Sequence, residues 1–408
     1  MRTFPFLCGL ALVLGAQDAE VESLVRRLDD DAVDARAEAL NALVRLGKKA
    51  VPALEKARRG ASPELRERIA EILRKIEERE RLAVLIKPAA RITLQARSRP
   101  LREVLEAVGK QAGTPIDLES VPEDENVTVA LSKIPFWEAL EAVCRANGNV
   151  VLDVQGDLVG VAREKYVGLP RHQRDSFAVS LQGIEMTSGG SLDGQERYEE
   201  FRARVRVCWE KGVRPWRVTA RLAELSDDRG ESLILEDDED RLVSAAQITG
   251  DLLCEELEVS ASRVPPPEAA TLGRLKIEID CEFALRYSGV TFAGPEGKVG
   301  TVARCPELAA TLVKWSRNEK GATASLQIRP QQGESDPLNP EEFVVKDKNG
   351  KEYAAVVQSA GGGDDEGYLY QFSFPVPAEV EVKELSVRVP VEIHKERLDL
   401  DLKGLPLK

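Results

Sequence analysis

Two ten-residue segments repeat each other at an offset of 35 residues, and this repeat constrains the fold more than any other feature. They are Arg99–Val108 and Ile134–Val143. Each has a proline at its second position, apolar residues every three or four positions, and a glycine behind it, Gly113 or Gly148. These marks are typical of a short amphipathic helix. The sequence therefore predicts one helical unit that is used twice.

Strand-like segments flank both copies of the predicted helix. Short runs rich in apolar residues predict strands at residues 92–96, 115–118, 127–131, 150–154 and 158–162. The last two strands are joined across Gln155-Gly156-Asp157, which is a hairpin signal. The predicted order over residues 90–165 is strand, helix, two strands, helix, two strands (βαββαββ).

This unit resembles the short N-terminal domain shared by secretins and TonB-dependent receptors. The likeness depends on the Pro-Leu-x-Glu-x-Leu helix start at Pro100, on the glycines that end both helices, and on the closing hairpin. That family uses its module to dock partner proteins. The resemblance therefore implies a recognition role for residues 90–165, and it names no ligand.

Residues 18–86 are predicted to be helical. Val33–Leu46 and Pro63–Ile76 align at an offset of 30 residues, and Gly47 followed by the short helix Val51–Ala57 separates them. Two helices per repeat are typical of a solenoid. The pattern resembles HEAT-type repeats, and about two units are present. Since so few repeats rarely stand alone, we expect them to stack on the next domain or on a partner.

From about residue 171 the pattern changes to strands, and a second duplication appears. Leu225–Leu233 parallels Val345–Tyr353, and Leu275–Phe283 parallels Leu385–Ile393. We interpret this half as two related β-sandwich domains at residues 172–300 and 301–408. The alternative is one larger sandwich whose sheets interleave. The expected fold class is thus multidomain α + α/β + all-β: a short α-solenoid, a βαββαββ module and two β-sandwich-like domains.

The N-terminus resembles a secretory signal peptide over residues 1–16. Arg2 supplies a positive charge, residues 4–14 form an apolar run, and small residues allow cleavage after Ala16. Cys8 lies inside the apolar run and lacks a lipobox. A net charge of −13 argues against nucleic acid, which needs clustered Lys and Arg. We therefore expect an exported protein, periplasmic or extracellular, with no membrane segment in the mature chain.

Six cysteines become five if the leader is removed. Cys144 lies on the apolar face of the second predicted helix and is expected to be a buried thiol. Cys208 and Cys281 lie in predicted strands, where a disulfide between two sheets is one possibility and simple burial is the other. An odd number of cysteines cannot pair completely.

Catalytic and metal-binding patterns are scarce. The only histidines, His172 and His394, have no nucleophile or carboxylate at a telling spacing, and no catalytic motif or zinc pattern is present. The acidic runs Glu236–Asp240 and Asp364–Glu366 lack the spacing of a calcium loop, so solvated loops are favoured over calcium sites. We therefore expect no enzyme activity and no cofactor.

Three residues near the helix starts are candidates for partner contact: Trp137, Phe136 and Arg102. Trp137 occupies the position that Arg102 has in the first copy, so an exposed docking anchor is one interpretation. A partly buried cap on the helix is the other.

The expected function is an exported scaffold that docks envelope proteins through its N-terminal half. The alternatives are a carbohydrate-binding or carbohydrate-processing envelope protein, and an accessory part of a secretion or transport complex.

Overall fold

The computed structural model describes residues 21–121, 123–190, 197–248, 250–331, 342–364 and 367–407. The predicted leader, residues 1–16, lies outside them. Two compact units are present, one ending at Leu85 and the other beginning at Ile86. Helices dominate the N-terminal part and β-sheets the C-terminal part, as the sequence predicts. Within the described part of the chain, no helix has the length and apolar character needed to span a bilayer.

The first unit consists of helices. Residues 21–27 are helical, and three further helices follow: α1 (Val33–Leu46), α2 (Val51–Arg58) and α3 (Pro63–Leu85). Their apolar faces meet in one core that includes Leu43, Leu54, Ile69 and Ile72, all fully buried. Because apolar residues recur every three or four positions, each helix buries one stripe and leaves a charged face outside.

The second unit begins with the duplicated strand–helix segment. Its elements are β1 (Arg91–Pro100), α4 (Leu101–Ala112), β2 (Ile116–Asp117), β3 (Asn126–Pro135), α5 (Phe136–Asn147), β4 (Val151–Gln155) and β5 (Leu158–Ala162). We call residues 91–162 the module. Both helices begin directly after a proline, and Gly113 and Gly148 end them in left-handed backbone conformations. The two predicted helices are confirmed. Glycine suits both helix ends, because it adopts the left-handed conformation at a lower cost than residues that carry a Cβ.

The strands of the module form two small sheets. β1 pairs antiparallel with β3. The other sheet has the order β2-β5-β4, in which β2 is parallel to β5 and β4 is antiparallel to it. Helix α4 contacts β1 and β2, and α5 contacts β3 and β4, so both helices bridge the two sheets. This order leaves β4 at the edge of its sheet.

The remaining strands form three antiparallel sheets. Their bounds are β6 (Arg171–Arg174), β7 (Phe177–Gly190), β8 (Arg197–Trp209), β9 (Arg217–Asp227), β10 (Val243–Gln247), β11 (Cys254–Ala261), β12 (Thr271–Ala293), β13 (Val302–Arg304), β14 (Leu308–Asn318), β15 (Gly321–Pro330), β16 (Phe343–Asp347), β17 (Glu352–Ala354), β18 (Val356–Asp364), β19 (Gly367–Phe374) and β20 (Val382–Pro406). The sheet orders are β11-β8-β7-β6, β13-β14-β15-β19-β18 and β10-β9-β12-β20-β16-β17.

The strand orders repeat between the two halves of this β region. The order β11-β8-β7-β6 in one sheet matches β19-β15-β14-β13 in another, with β18 as an addition. In the six-stranded sheet, β10-β9-β12 matches β17-β16-β20. Leu225 pairs with Leu275 in the first half, and Val345 pairs with Leu385 at the corresponding place in the second half. The segments that the sequence aligned therefore occupy matching positions.

Two long strands join the halves. β12 and β20 pair antiparallel from Thr271–Pro406 to Ala293–Glu384. β12 belongs to the first half of the β region and β20 to the second. Their pairing therefore joins residues on both sides of the domain boundary that was expected near residue 300. The six-stranded sheet is shared by both halves, which is the feature that distinguishes an interleaved arrangement from two separate sheets.

Candidate binding cleft

The predicted contact residues divide into two buried side chains and one exposed side chain. Phe136 and Trp137 are fully buried in the core of the module, and Trp137 Nε1 donates a hydrogen bond to the Ser176 carbonyl at 3.3 Å. Arg102 is exposed and donates to the Leu118 carbonyl at 2.9 Å. Of the two interpretations of Trp137, the exposed docking anchor is therefore wrong, because the side chains of Trp137 and Phe136 both pack inward where α5 starts.

The module and the first β sheet share a core. Cys208 of β8 and Cys254 of β11 pack into the same buried cluster as α5 and β4, together with Leu253. Glu210, which is buried, accepts a hydrogen bond from the Ala90 backbone N–H at 2.8 Å. Burial raises the pKa of Glu210, and its bonds to backbone N–H groups oppose that rise. These contacts fix the module against the sheet.

A cleft of about 480 Å³ lies beside this shared core. One wall is strand β4 and another is formed by β6 and β7, while residues 164–169 of the connecting segment complete the rim. Trp137, Glu141 and Cys208 are among the residues that line it. We call it the Glu141 cleft. Its volume falls in the range of ordinary ligand pockets.

The edge of β4 borders the cleft. All five residues from Val151 to Gln155 line it, although successive side chains of a strand point to opposite faces. Gln155 pairs with Leu158 across a two-residue turn, so the Gln155 backbone bonds to β5 and the alternate residues Leu152 and Val154 direct their N–H and C=O groups away from it. The Val154 carbonyl accordingly accepts a weak bond from Cys254 Sγ at 3.5 Å.

A buried carboxylate lies inside the cleft. Glu141 of α5 is only 6 % exposed. It forms an ion pair with Arg171 at the start of β6 and accepts a hydrogen bond from the Tyr166 hydroxyl. Arg171 also donates to the Leu169 carbonyl at 3.3 Å. Buried charge is tolerated only when it is paired and hydrogen-bonded, and this arrangement fulfils both conditions.

Burial and the nearby Glu141 carboxylate keep two neighbouring groups, Tyr166 and Cys144, protonated. Burial is the main cause that raises the pKa of Tyr166, and its bond to Glu141 adds to the effect. Burial also raises the pKa of Cys144 to about 12, and the charge of Glu141 contributes. A thiol with such a pKa is a poor nucleophile at neutral pH. The cleft thus contains charged and hydrogen-bonding groups, and the thiol of Cys144 beside Glu141 is unsuited to nucleophilic chemistry.

The rim of the cleft is polar and carries both charges. Arg206 is paired with Glu256 through two bonds of 2.5 and 2.8 Å, and Gln182 donates to Ser180 Oγ at 2.6 Å. Lys165 and Gln173 also line it. This mixture of backbone edge, apolar floor and polar rim suits a polypeptide segment better than a small ion.

No group of three or more potential metal ligands occurs among the described residues. Within the acidic run at 236–240, Asp238 is fully buried and its oxygens accept bonds from the N–H groups of Leu235 (2.8 Å) and Ser262 (3.0 Å). Asp238 therefore has a structural role in its turn. Of the second acidic run, residues 365 and 366 lie outside the described part of the chain.

All five cysteines beyond the predicted leader are free thiols. Cys208 lies opposite Cys254, whereas Cys281 lies in β12 opposite Val218. The possible Cys208–Cys281 bridge is therefore not formed, and Cys144 is buried as expected.

Sequence patterns did not identify Glu141, Tyr166 or Arg171. Glu141 corresponds to Glu106 in the first copy of the repeat, and Glu106 is exposed. The two glutamates have the same place in the repeat, so the repeat alone does not distinguish the buried one from the exposed one. No protein-family model matches the chain, and no curated protein matches it.

Proposed function

We propose that this protein is an exported, non-enzymatic interaction protein of the cell envelope. Its partner is a protein that inserts an extended segment into the Glu141 cleft and adds a strand to β4. The helical repeats, which resemble HEAT repeats, and the two β-sandwich-like halves supply further surface. The resemblance of the module to the docking domain of secretins and TonB-dependent receptors supports this role.

One observation carries the proposal: the edge of β4 borders a cleft large enough for several residues of an extended chain. Edge strands present unpaired backbone groups that accept another strand. In this mode, main-chain hydrogen bonds supply affinity and side-chain pockets supply specificity. The outward N–H of Leu152 is the donor that an incoming strand would use, and the Glu141–Arg171 pair is the polar end of the pocket.

Selection from a displayed library of short random peptides tests this function. We expect the full chain to enrich peptides that are extended and rich in β-branched residues. Leu152→Pro removes the outward N–H without removing a bond to β5, so it should abolish binding, whereas Leu152→Ala should retain it. Circular dichroism and thermal unfolding establish that both variants are folded.

Two results contradict the proposal: enrichment of no peptide above background, or equal binding by Leu152→Pro and Leu152→Ala. An oligosaccharide array in parallel tests the carbohydrate alternative, which predicts sugar binding that the Leu152 variants leave unchanged.

The export proposal has its own test. Expression of the full chain in a bacterial host, followed by fractionation and N-terminal sequencing, should yield a periplasmic or secreted protein that begins at Gln17. Retention of the uncleaved chain in the cytoplasm contradicts export and leaves the cleft proposal standing.

A further inference from the structure

Two buried cysteines face each other on neighbouring antiparallel strands. Cys208 of β8 pairs directly with Cys254 of β11. The Trp209 N–H donates to the Leu253 carbonyl at 2.9 Å, and these are the residues just beyond the pair on each strand. The cysteines therefore occupy a non-hydrogen-bonded position of the ladder, where Cα atoms are about 4.5 Å apart. Disulfides span Cα distances of roughly 4.4–6.8 Å.

The thiols are already in contact. Cys208 and Cys254 are joined by a side-chain hydrogen bond. Directly opposed residues of a ladder place their side chains on the same face of the sheet. Cys281 lies in the six-stranded sheet and Cys144 on α5, so Cys254 is the cysteine that the ladder places opposite Cys208.

We propose that Cys208 and Cys254 form a redox pair, which closes to a disulfide between β8 and β11 when the protein meets a disulfide oxidant. One oxidant disulfide and two protein thiols react to give one protein disulfide and two small thiols. The protein loses two electrons and two protons, and the oxidant gains them.

The hydrogen bond between the thiols orders the steps. Donation from Cys208 lowers the pKa of Cys254, and nearby Arg206 assists, whereas the same bond and burial raise the pKa of Cys208. Cys254 is therefore the attacking thiolate: it forms a mixed disulfide and releases one small thiol. Cys208 then loses its proton, attacks Cys254 Sγ and releases the second small thiol. Cys254 is also the more accessible of the two, with 8 % of its surface exposed against 4 % for Cys208.

Closure of the disulfide changes the cleft. Cys254 in its thiol form donates to the outward carbonyl of Val154, and a disulfide has no S–H to donate. The oxidised protein therefore leaves this acceptor open for a partner strand on β4. This consequence rests on the proposed function, whereas formation of the disulfide does not.

Trypsin digestion leaves Cys208, Cys254 and Cys281 in three different peptides, so a disulfide between any two of them can be identified directly. Cys208 falls in residues 207–211, Cys254 in 242–263 and Cys281 in 277–286. The reduced full chain is incubated with glutathione disulfide, in buffer and in urea just below the unfolding transition. It is then denatured, alkylated and digested. We expect the loss of two alkylation adducts and a linked pair of peptides 207–211 and 242–263, which disappears on reduction.

Two variants serve as controls. Cys281→Ser should still form the linked pair, because Cys281 lies in another sheet. Cys254→Ser should restore one adduct, on Cys208. The proposal is overturned if both peptides are fully alkylated after oxidation in buffer and also after oxidation in urea. A linkage of Cys208 to any other cysteine overturns it as well. A linked pair with unchanged peptide binding supports the redox pair and counts against the role of Val154 in docking.

Discussion

Glu141 stabilises the fold through a buried ion pair. Its carboxylate is buried and held by Arg171 and Tyr166. Glu141→Gln removes the charge and leaves Arg171, only 22 % exposed, without its counterion. We expect a loss of about 2 kcal/mol in the free energy of unfolding, measured by urea denaturation, because an unpaired buried charge is costly.

The double variant Glu141→Gln/Arg171→Met is the matched control for that prediction. It removes both charges, so its loss should be clearly smaller than the sum of the two single losses. Additive losses would show that the two side chains do not stabilise the fold as a pair.

The buried thiol of Cys144 should make the free energy of unfolding depend on pH in the alkaline range. The thiol has a pKa near 9 in the unfolded chain and about 12 in the fold, because burial disfavours the thiolate. The unfolded state therefore loses its proton first as the pH rises. The stabilising contribution is complete below pH 9 and is lost between pH 9 and about 12. Cys144→Ala should flatten the fall of unfolding free energy across this window, and an unchanged slope contradicts the assignment.

Local sequence information predicted helix ends better than it predicted side-chain exposure. Gly113 and Gly148 end their helices as expected, because a closing glycine is a local signal. The burial of Trp137 depends on contact with Ser176, far along the chain. Glu141 and Glu106 have the same local pattern and opposite exposure. Their difference comes from β6 and residues 164–169, which cover only the second copy.

The two duplicated turns are held by the same pair of hydrogen bonds to an aspartate. Asp227 Oδ1 accepts bonds from the N–H groups of Arg229 and Glu231, at 2.9 and 2.8 Å. Asp347 Oδ1 accepts from Asn349 and Lys351, at 2.8 and 2.9 Å. Asp227→Ala and Asp347→Ala should each reduce the free energy of unfolding by about 2 kcal/mol, since each leaves two N–H groups without their acceptor.

Asp228→Ala is the control for the turn prediction. Asp228 is exposed beside Asp227, so its replacement should change the unfolding free energy by less than about 0.5 kcal/mol. Unequal losses for the two buried aspartates would contradict their equivalence.

Turn chemistry also explains why this duplication was visible in the sequence. Each turn combines an aspartate with a glycine three residues later, Gly230 and Gly350, whose φ values are 83° and 82°. The pairing of β12 with β20 has no such local signal, because partners such as Ile277 and Leu400 lie more than a hundred residues apart. The sequence therefore predicted related halves and left their connection open.

At the scale of the molecule, β12 and β20 couple the two β halves. Leu400 is 1 % exposed and pairs with Ile277. Leu400→Ala should lower stability by about 3 kcal/mol through the cavity it leaves. Hydrogen exchange should then accelerate first in β9 and the start of β12, although these strands precede Leu400 by more than a hundred residues. Acceleration confined to strands after residue 301 would contradict this coupling.

The central claim is that the Glu141 cleft receives a segment of a partner protein, and site-specific photo-cross-linking in the producing cell tests it most directly. A photoreactive side chain at Gln173 lies in the cleft, and one at His172 lies next to it on the opposite face of β6. We predict a discrete cross-linked partner from position 173 that is absent from position 172 and lost in Leu152→Pro. Equal products from both positions, or a product that Leu152→Pro leaves intact, would contradict the account.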